Sequence, residues 1–271
     1  MSRIQDKFAS LQSKNQKALI AYAMAGYPND SDTISIVRSL VKGGADIIEI
    51  GLPFSDPLAD GPVIQNASFQ ALQKGMNLER FLRIVRRIRK ETEIPLVLMT
   101  YSNLLYHIGY ERFVTIVKKA GIDGIILPDM AIEEAGKYLK VLKRLGMDAI
   151  FLISPNTSKE RIRRIAGVSN GFVYLVSVYG TTGGIQKQFQ RYTIDAIKNA
   201  KEILGGRIPL GVGFGVNNPE QARSVLHAGA DAIIVASAFL RLIEKNPRSA
   251  INSKITLLAK KLKKTTISIN K

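Results

Sequence analysis

The 271-residue chain has no cysteine and no tryptophan, only two histidines, and just 22 acidic residues against 39 lysines and arginines. The absence of cysteine excludes a disulfide framework, a thiolate-ligated zinc or iron–sulfur centre, and a thiol nucleophile. His107 and His227 alone argue against a multi-histidine metal site. No apolar run approaches the ~20 residues that cross a bilayer, and the opening MSRIQDKFASLQSKNQ lacks an apolar signal core. Chemistry in this chain therefore falls to carboxylates, tyrosines, lysines and backbone amides.

What is present is an ordinary globular composition, 46% hydrophobic and 23% charged, carrying an extreme net charge of +17. Two stretches concentrate that charge. Across residues 80–90, Phe81, Ile84, Val85 and Ile88 fall at helical spacing, which puts the arginines on the opposite face. Near the C-terminus, Ile251, Ile255, Leu258 and Leu262 repeat the pattern among Lys260, Lys261, Lys263 and Lys264. Both stretches read as solvated faces of core-covering helices, with a polyanion-binding face as the alternative.

A repeated phrase reveals the architecture. GGADIIEI (43–50), AGIDGIIL (120–127), LGMDAIFL (145–152) and AGADAIIV (228–235) each read as a helix end, a glycine stop, an aspartate and a buried strand. The apolar runs are continuous, as in parallel strands covered on both faces. The closest two aspartates, Asp123 and Asp148, are 25 residues apart, about one βα unit; the gaps of 77 and 83 residues hold about three each. The resulting eight strands span 18–25, 45–51, 95–101, 122–128, 148–153, 171–177, 208–213 and 231–236. Asn218-Pro219 caps and opens one of the intervening helices, and the segment at Asp30 to Asp32 caps another. Ile4, Phe8 and Leu11 mark an extra helix before the first strand, placed to plug the barrel floor. No Pro/Gly/Ser-rich linker divides the chain. The expected fold is an α/β, (β/α)₈ TIM barrel with an extra N-terminal helix, as one domain over residues 1–271.

In such barrels the site forms at the C-terminal ends of the strands. Glu49 lies within the apolar second strand, where burial raises a carboxyl pKa toward the range of a general acid or base; a structural ion pair with a barrel cation is the alternative. Asp56 and Asp60 follow on a proline-stiffened loop, and either can turn over the same cavity or serve a turn. Three later strand ends are glycine-rich or small: Tyr179 to Gly184, Gly213-Phe214-Gly215, and Ala236-Ser237. The last two follow strands seven and eight, the usual phosphate site of these barrels, and Ser237 opens a helix whose N-terminus favours an anion.

The segment IEIGLPFSDPLADGPVIQ (48–65) closely resembles the signature of the tryptophan synthase alpha subunit family. Supporting matches run along nearly the whole chain: AGYP (25–28), MTYSN (99–103), PD (128–129), YLVS (174–177), GTTG (180–183) and GFG (213–215). The resemblance implies a lyase of tryptophan biosynthesis that cleaves indole-3-glycerol phosphate to indole and D-glyceraldehyde 3-phosphate by a retro-aldol reaction. It implies Glu49 as the acid/base and Asp60 as the carboxylate on the indole N–H. Tyr174 and Thr182 would support them, Tyr174 orienting Glu49 and Thr182 reaching Asp60 from a lid. Tyr22, Ile64 and Tyr101 correspond to the indole wall, and Gly183, Phe214, Gly215, Ala236 and Ser237 to the substrate and phosphate contacts. Two positions depart from the family: Ala236 replaces a glycine and Tyr22 a phenylalanine. The resemblance further implies a cytoplasmic enzyme in an alpha2-beta2 complex. Asp56, Pro57 and Asn103 would contact the beta subunit, and that partner would carry pyridoxal phosphate, with no cofactor or metal on this chain. Neither nucleic acid nor membrane is an expected partner. The alternatives are another phosphate-binding barrel of aromatic biosynthesis, or a silent basic barrel that binds nucleic acid.

Overall fold

A computed structural model of the chain describes residues 1–176, 191–213 and 215–267. Its strands are β1 (Ala18–Met24), β2 (Ile47–Gly51), β3 (Leu96–Met99), β4 (Gly124–Ile126), β5 (Asp148–Ile150), β6 (Leu152–Ile153), β7 (Val173–Val176), β8 (Leu210–Gly213) and β9 (Ala232–Val235). They form one parallel sheet in the order β5-β4-β3-β2-β1-β9-β8-β7-β6. β5 and β6 stand at opposite ends of that list yet are separated in sequence only by Phe151. They are one stave of a nearly closed barrel: its first half pairs with β4 and its second half with β7. The sequence predicts a single strand over 148–153. The break arises because a tilted, sheared barrel shifts the hydrogen-bonding register along each stave, so a short stave meets its two neighbours with different residues.

The helices wrap this barrel. They are α1 (Arg3–Ser13), α2 (Asp30–Lys42), α3 (Pro62–Gln73), α4 (Leu78–Arg89), α5 (Ser102–Ile108), α6 (Tyr110–Ala120), α7 (Gly136–Leu145), α8 (Lys159–Val168), α9 (Arg191–Leu204), α10 (Pro219–His227), α11 (Ser237–Lys245) and α12 (Arg248–Ile267). Local chemistry fixes their starts. Asn29, Asn77, Ser158 and Asn218 each accept a backbone N–H three residues on, and Pro219 occupies the first turn of α10. α4 buries Phe81, Leu82, Ile84, Val85 and Ile88, as the spacing predicts. Its arginines are not all solvated: Arg80 pairs with Asp30 at 2.7 Å, and Arg89 turns under the barrel to Asp123 at 2.8 Å.

The four repeated aspartates share one place, the barrel floor. Three use the same device, accepting a backbone N–H from the preceding stave while holding a cation from the surrounding helices. Asp46 Oδ2 accepts Leu19 N–H at 2.7 Å and Lys263 Nζ at 2.7 Å. Asp123 Oδ2 accepts Leu96 N–H at 2.9 Å and Arg89 at 2.8 Å, and its Oδ1 takes Arg3 at 3.0 Å. Asp231 accepts Leu210 N–H at 2.9 Å, with Lys201 and Lys17 as its cations. The fourth, Asp148, is held by Ser2 and Gln5, the capping-box pair that opens α1. α1 thereby closes the floor. Its Ile4 is fully buried against Gly124 and Gly171, and Phe8 packs on Phe172 with ring centroids 6.0 Å apart.

These pairs hold Lys17, Arg89, Lys201 and Lys263 at the floor, the end of the barrel opposite the loops that follow the strands. Replacing Asp46 by alanine strands the Leu19 N–H and a largely buried Lys263 ammonium. We expect Asp46→Ala to lower unfolding stability by about 3 kcal/mol in a denaturant titration, with the rim geometry unchanged.

Candidate active site

Register places the chemistry. Tyr22 of β1, Glu49 of β2 and Val97 of β3 are directly paired across the sheet, so they occupy one level of the barrel interior. Glu49 is 1% exposed, and its Oε2 has no hydrogen-bond partner among the described residues. No cation pairs with it among those residues. Burial, and secondarily the negative charge of Asp60, push its pKa up to about 8.

Asp60 and Asp56 part company on the loop after β2. Backbone bonds from Leu58 N–H to Asp56 O and from Asp60 N–H to Pro57 O fold the loop back on itself. Asp60 turns inward and is 8% exposed, whereas Asp56 stays exposed on the rim. Oδ2 of Asp60 accepts the Tyr101 hydroxyl at 3.0 Å; Oδ1 has no partner among the described residues. Burial raises the Asp60 pKa to about 6, against the lowering effect of the Tyr101 hydrogen bond. Tyr101 also accepts the Ala59 N–H at 3.1 Å and stacks on Phe54 at 5.0 Å. It thus does more than line a wall. It ties the loop to the end of β3, where Asp129 anchors the next residue, Ser102, through both its N–H and its hydroxyl.

A cavity of ≈ 260 Å³ opens here, lined by Ala59, Met99, Ile126, Pro128, Leu152, Ile153, Ser154, Thr157, Tyr174 and Val176. Tyr174, part of this wall, belongs to β7. Tyr22 is buried alongside, close enough to Glu49, Asp60, Tyr101 and Tyr174 for each to raise its phenol pKa. Its hydroxyl finds the thioether of Met24 at 3.7 Å. Ile64 is buried in the first turn of α3. Both tyrosines lie over glycines. A Cβ on Gly51 would stand 2.0 Å from the Tyr22 hydroxyl, and one on Gly213 would stand 2.2 Å from that of Tyr174.

Across the rim, Gly215 has a left-handed backbone (φ +88°), Ala236 precedes α11 and Ser237 is its first residue. Asp56, Pro57 and Asn103 all lie on the outer rim, near the 90% exposed Leu58 and the 52% exposed Tyr106. Thr182, Gly183 and Phe214 lie outside the described residues. Sequence reasoning did not single out Ala59, Met99, Asp129 or Asn217 as site residues. Asp129 stood in a matched motif, and Asn217 was masked by its neighbour Asn218, which suffices to cap α10. Among the described residues no three metal-ligating side chains come together, and no helix is long and apolar enough to cross a membrane.

The comparisons agree with this geometry. The sequence pattern of the family described as "Tryptophan synthase alpha chain" matches residues 8–267. The tryptophan synthase alpha chain of Methanosarcina acetivorans is 44% identical over 99% of this chain and 95% of its own length. The crystal structure of the tryptophan synthase alpha chain from Legionella pneumophila is 33% identical, covers 100% of this chain and 99% of its own, and superposes with a TM-score of 0.89. Tryptophan synthase from M. tuberculosis, in its aminoacrylate-bound form, is 30% identical over 98% of this chain and 100% of its own, with a TM-score of 0.85. Two buried carboxylates in a parallel barrel, each with one oxygen that has no partner among the described residues, stand beside these matches over the full chain, and the matches identify it: the chain belongs to the tryptophan synthase alpha chain family, an enzyme family of the lyase type.

Proposed function

We propose that the chain acts as one barrel domain over residues 1–271 and cleaves indole-3-glycerol phosphate to indole and D-glyceraldehyde 3-phosphate. The observation that carries this reading is the pair of buried carboxylate oxygens without partners among the described residues, Glu49 Oε2 and Asp60 Oδ1, on groups close enough that the charge of Asp60 acts on Glu49. Buried acceptors of that kind are costly unless a ligand satisfies them. They differ in a useful way. With a pKa of about 8, Glu49 keeps its proton at neutral pH, while Asp60 at about 6 is largely ionised.

Glu49 donates that proton to C3 of the indole, and Asp60 accepts the indole N–H and stabilises the positive charge that develops in the ring. The protonated ring then takes up the electron pair of the breaking C–C bond. The glycerol hydroxyl on the departing carbon gives its proton back to Glu49 as the aldehyde forms. The ring is its own electron sink, so the step requires no cofactor on this chain. Tyr101 fixes the Asp60 carboxylate, and Tyr174 and Tyr22 shape the aromatic pocket. Gly215, Ala236 and Ser237 receive the phosphate, with Gly183, Phe214 and the Thr182 lid as further contacts. The alanine methyl at 236 leaves its N–H free to bind. The exposed rim at Asp56, Pro57 and Asn103 faces a beta subunit in an alpha2-beta2 assembly. That partner carries pyridoxal phosphate and receives the indole for L-tryptophan synthesis in the cytoplasm.

The test is indole release from indole-3-glycerol phosphate, with and without the cognate beta subunit. Glu49→Gln is expected to lower kcat by about 10²–10⁴-fold and Asp60→Asn by about 10²–10³-fold. Full activity in Glu49→Gln would overturn the mechanism. Because Asp60 must be ionised and Glu49 protonated, kcat/KM should be bell-shaped, falling below pH about 6 and above pH about 8.

Stability should move the other way. The fold favours neutral Glu49, so its contribution is intact below the ordinary carboxylate pKa and is lost progressively as pH rises to about 8. Glutamine has no such loss. Melting curves of Glu49→Gln and the wild type should coincide near pH 4 and separate, with the variant the more stable, up to pH about 8, then stay parallel.

A further inference from the structure

Asn217 lies between β8 and α10, and side-chain hydrogen bonds converge on it from both sides of the rim. Its Nδ2 donates to Gly215 O at 2.8 Å, while its Oδ1 accepts both Ser237 Oγ and Arg241 Nη1, each at 3.1 Å. Its backbone N–H donates to Oε1 of the buried Gln221 at 2.8 Å, which fixes the residue from below. Ser237 and Arg241 are four residues apart on α11 and so share one helical face. A single oxygen atom therefore holds a hydroxyl and a guanidinium side by side.

The charge here is unbalanced. Arg241 is half-buried and pairs with no carboxylate among the described residues. Arg241 is the fifth residue of the nine-residue α11, but its guanidinium reaches back to the Asn217 oxygen that also holds Ser237, the first residue of the helix, so the cation adds to the positive potential of the helix start. Its hydrogen-bond partner among the described residues is the neutral Asn217 amide oxygen, which it shares with the Ser237 hydroxyl. A dianion arriving at Ser237 would relieve that build-up. The polar atoms otherwise offered by Gly215, Ala236 and Ser237 are uncharged.

We propose that Arg241, held beside Ser237 by Asn217, is the cation that gives the rim cradle its affinity for a phosphate monoester dianion. The inference rests on the reading of that cradle as the phosphate site and adds a residue to it. Arg241 acts on binding rather than on bond cleavage. Its charge attracts the phosphate equally in the ground state and the transition state, so its loss falls on KM and leaves kcat near its wild-type value. Asn217 is the positioning residue that keeps the guanidinium on the rim.

Two probes separate this inference from the function on which it rests: calorimetric binding of inorganic phosphate and of D-glyceraldehyde 3-phosphate to the full chain, and the KM for indole release. Arg241→Met keeps the stem and removes the charge. It should weaken both ligands and raise KM by about tenfold. Arg241→Lys, which keeps the charge, should recover most of the loss. Asn217→Asp, which supplies a carboxylate of the same shape to neutralise the guanidinium, should match Arg241→Met. Wild-type phosphate binding by Arg241→Met would overturn the inference, as would failure of lysine to restore what methionine loses. Absence of phosphate binding by the wild-type chain would overturn the phosphate reading and this inference together.

Discussion

Withdrawing the Glu49 carboxyl from water is the constraint around which the rest of the structure is arranged. A carboxylate at 1% exposure without a cation is unfavourable as an ion, so it holds a proton into the neutral range. That condition survives only if no lysine or arginine reaches the rim interior, a demanding requirement in a chain of net charge +17. The structure meets it by segregation. Lys17, Arg89, Lys201 and Lys263 are drawn to aspartates at the floor, and no lysine or arginine among the described residues pairs with Glu49. The floor's ion pairs and the absence of a cation on Glu49 among the described residues belong to one electrostatic design.

The same division explains why the two carboxylates of the site behave differently. Both are buried, but Asp60 receives a hydroxyl from Tyr101 and Glu49 receives nothing comparable among the described residues. Burial raises both; the negative charge of Asp60 lifts Glu49 further, to about 8, while the Tyr101 hydrogen bond holds Asp60 at about 6. Environments that push two like groups apart let one act as acid while the other stabilises positive charge.

Much of this was legible in the sequence, and the parts that were not share a cause. The staves announced themselves through glycine–aspartate–apolar phrases, because parallel strands covered on both faces need unbroken hydrophobic runs. Glu49 stood out as a carboxylate inside such a run, and the 48–65 segment was distinctive enough to fix the family. Hidden were the features that depend on residues meeting across the fold. The sequence marks Asp46, Asp123 and Asp231 as a repeat, but not that each clamps a neighbouring stave, since Lys263 is 217 positions from Asp46. Tyr101 reads as an aromatic wall, because nothing local says that its hydroxyl meets Asp60, 41 residues earlier. The break at Phe151 follows from barrel shear, which no single strand encodes. Asp56 and Asp60 look equivalent until the loop turns one in and the other out.

The seating of the two tyrosines over Gly51 and Gly213 bears on how this sequence can drift. A side chain at either glycine collides with a phenol oxygen, so neither glycine is free to vary while its tyrosine remains. The converse is permissive: shrinking Tyr22 or Tyr174 first opens a void into which a larger residue at 51 or 213 can then fit. Substitutions here have an order, tyrosine before glycine, and a lineage that has lost the ring can accept changes that would disable its ancestor. Because the Tyr22 hydroxyl is the atom that approaches position 51 most closely, a chain with phenylalanine at 22 would meet a milder version of the same restriction.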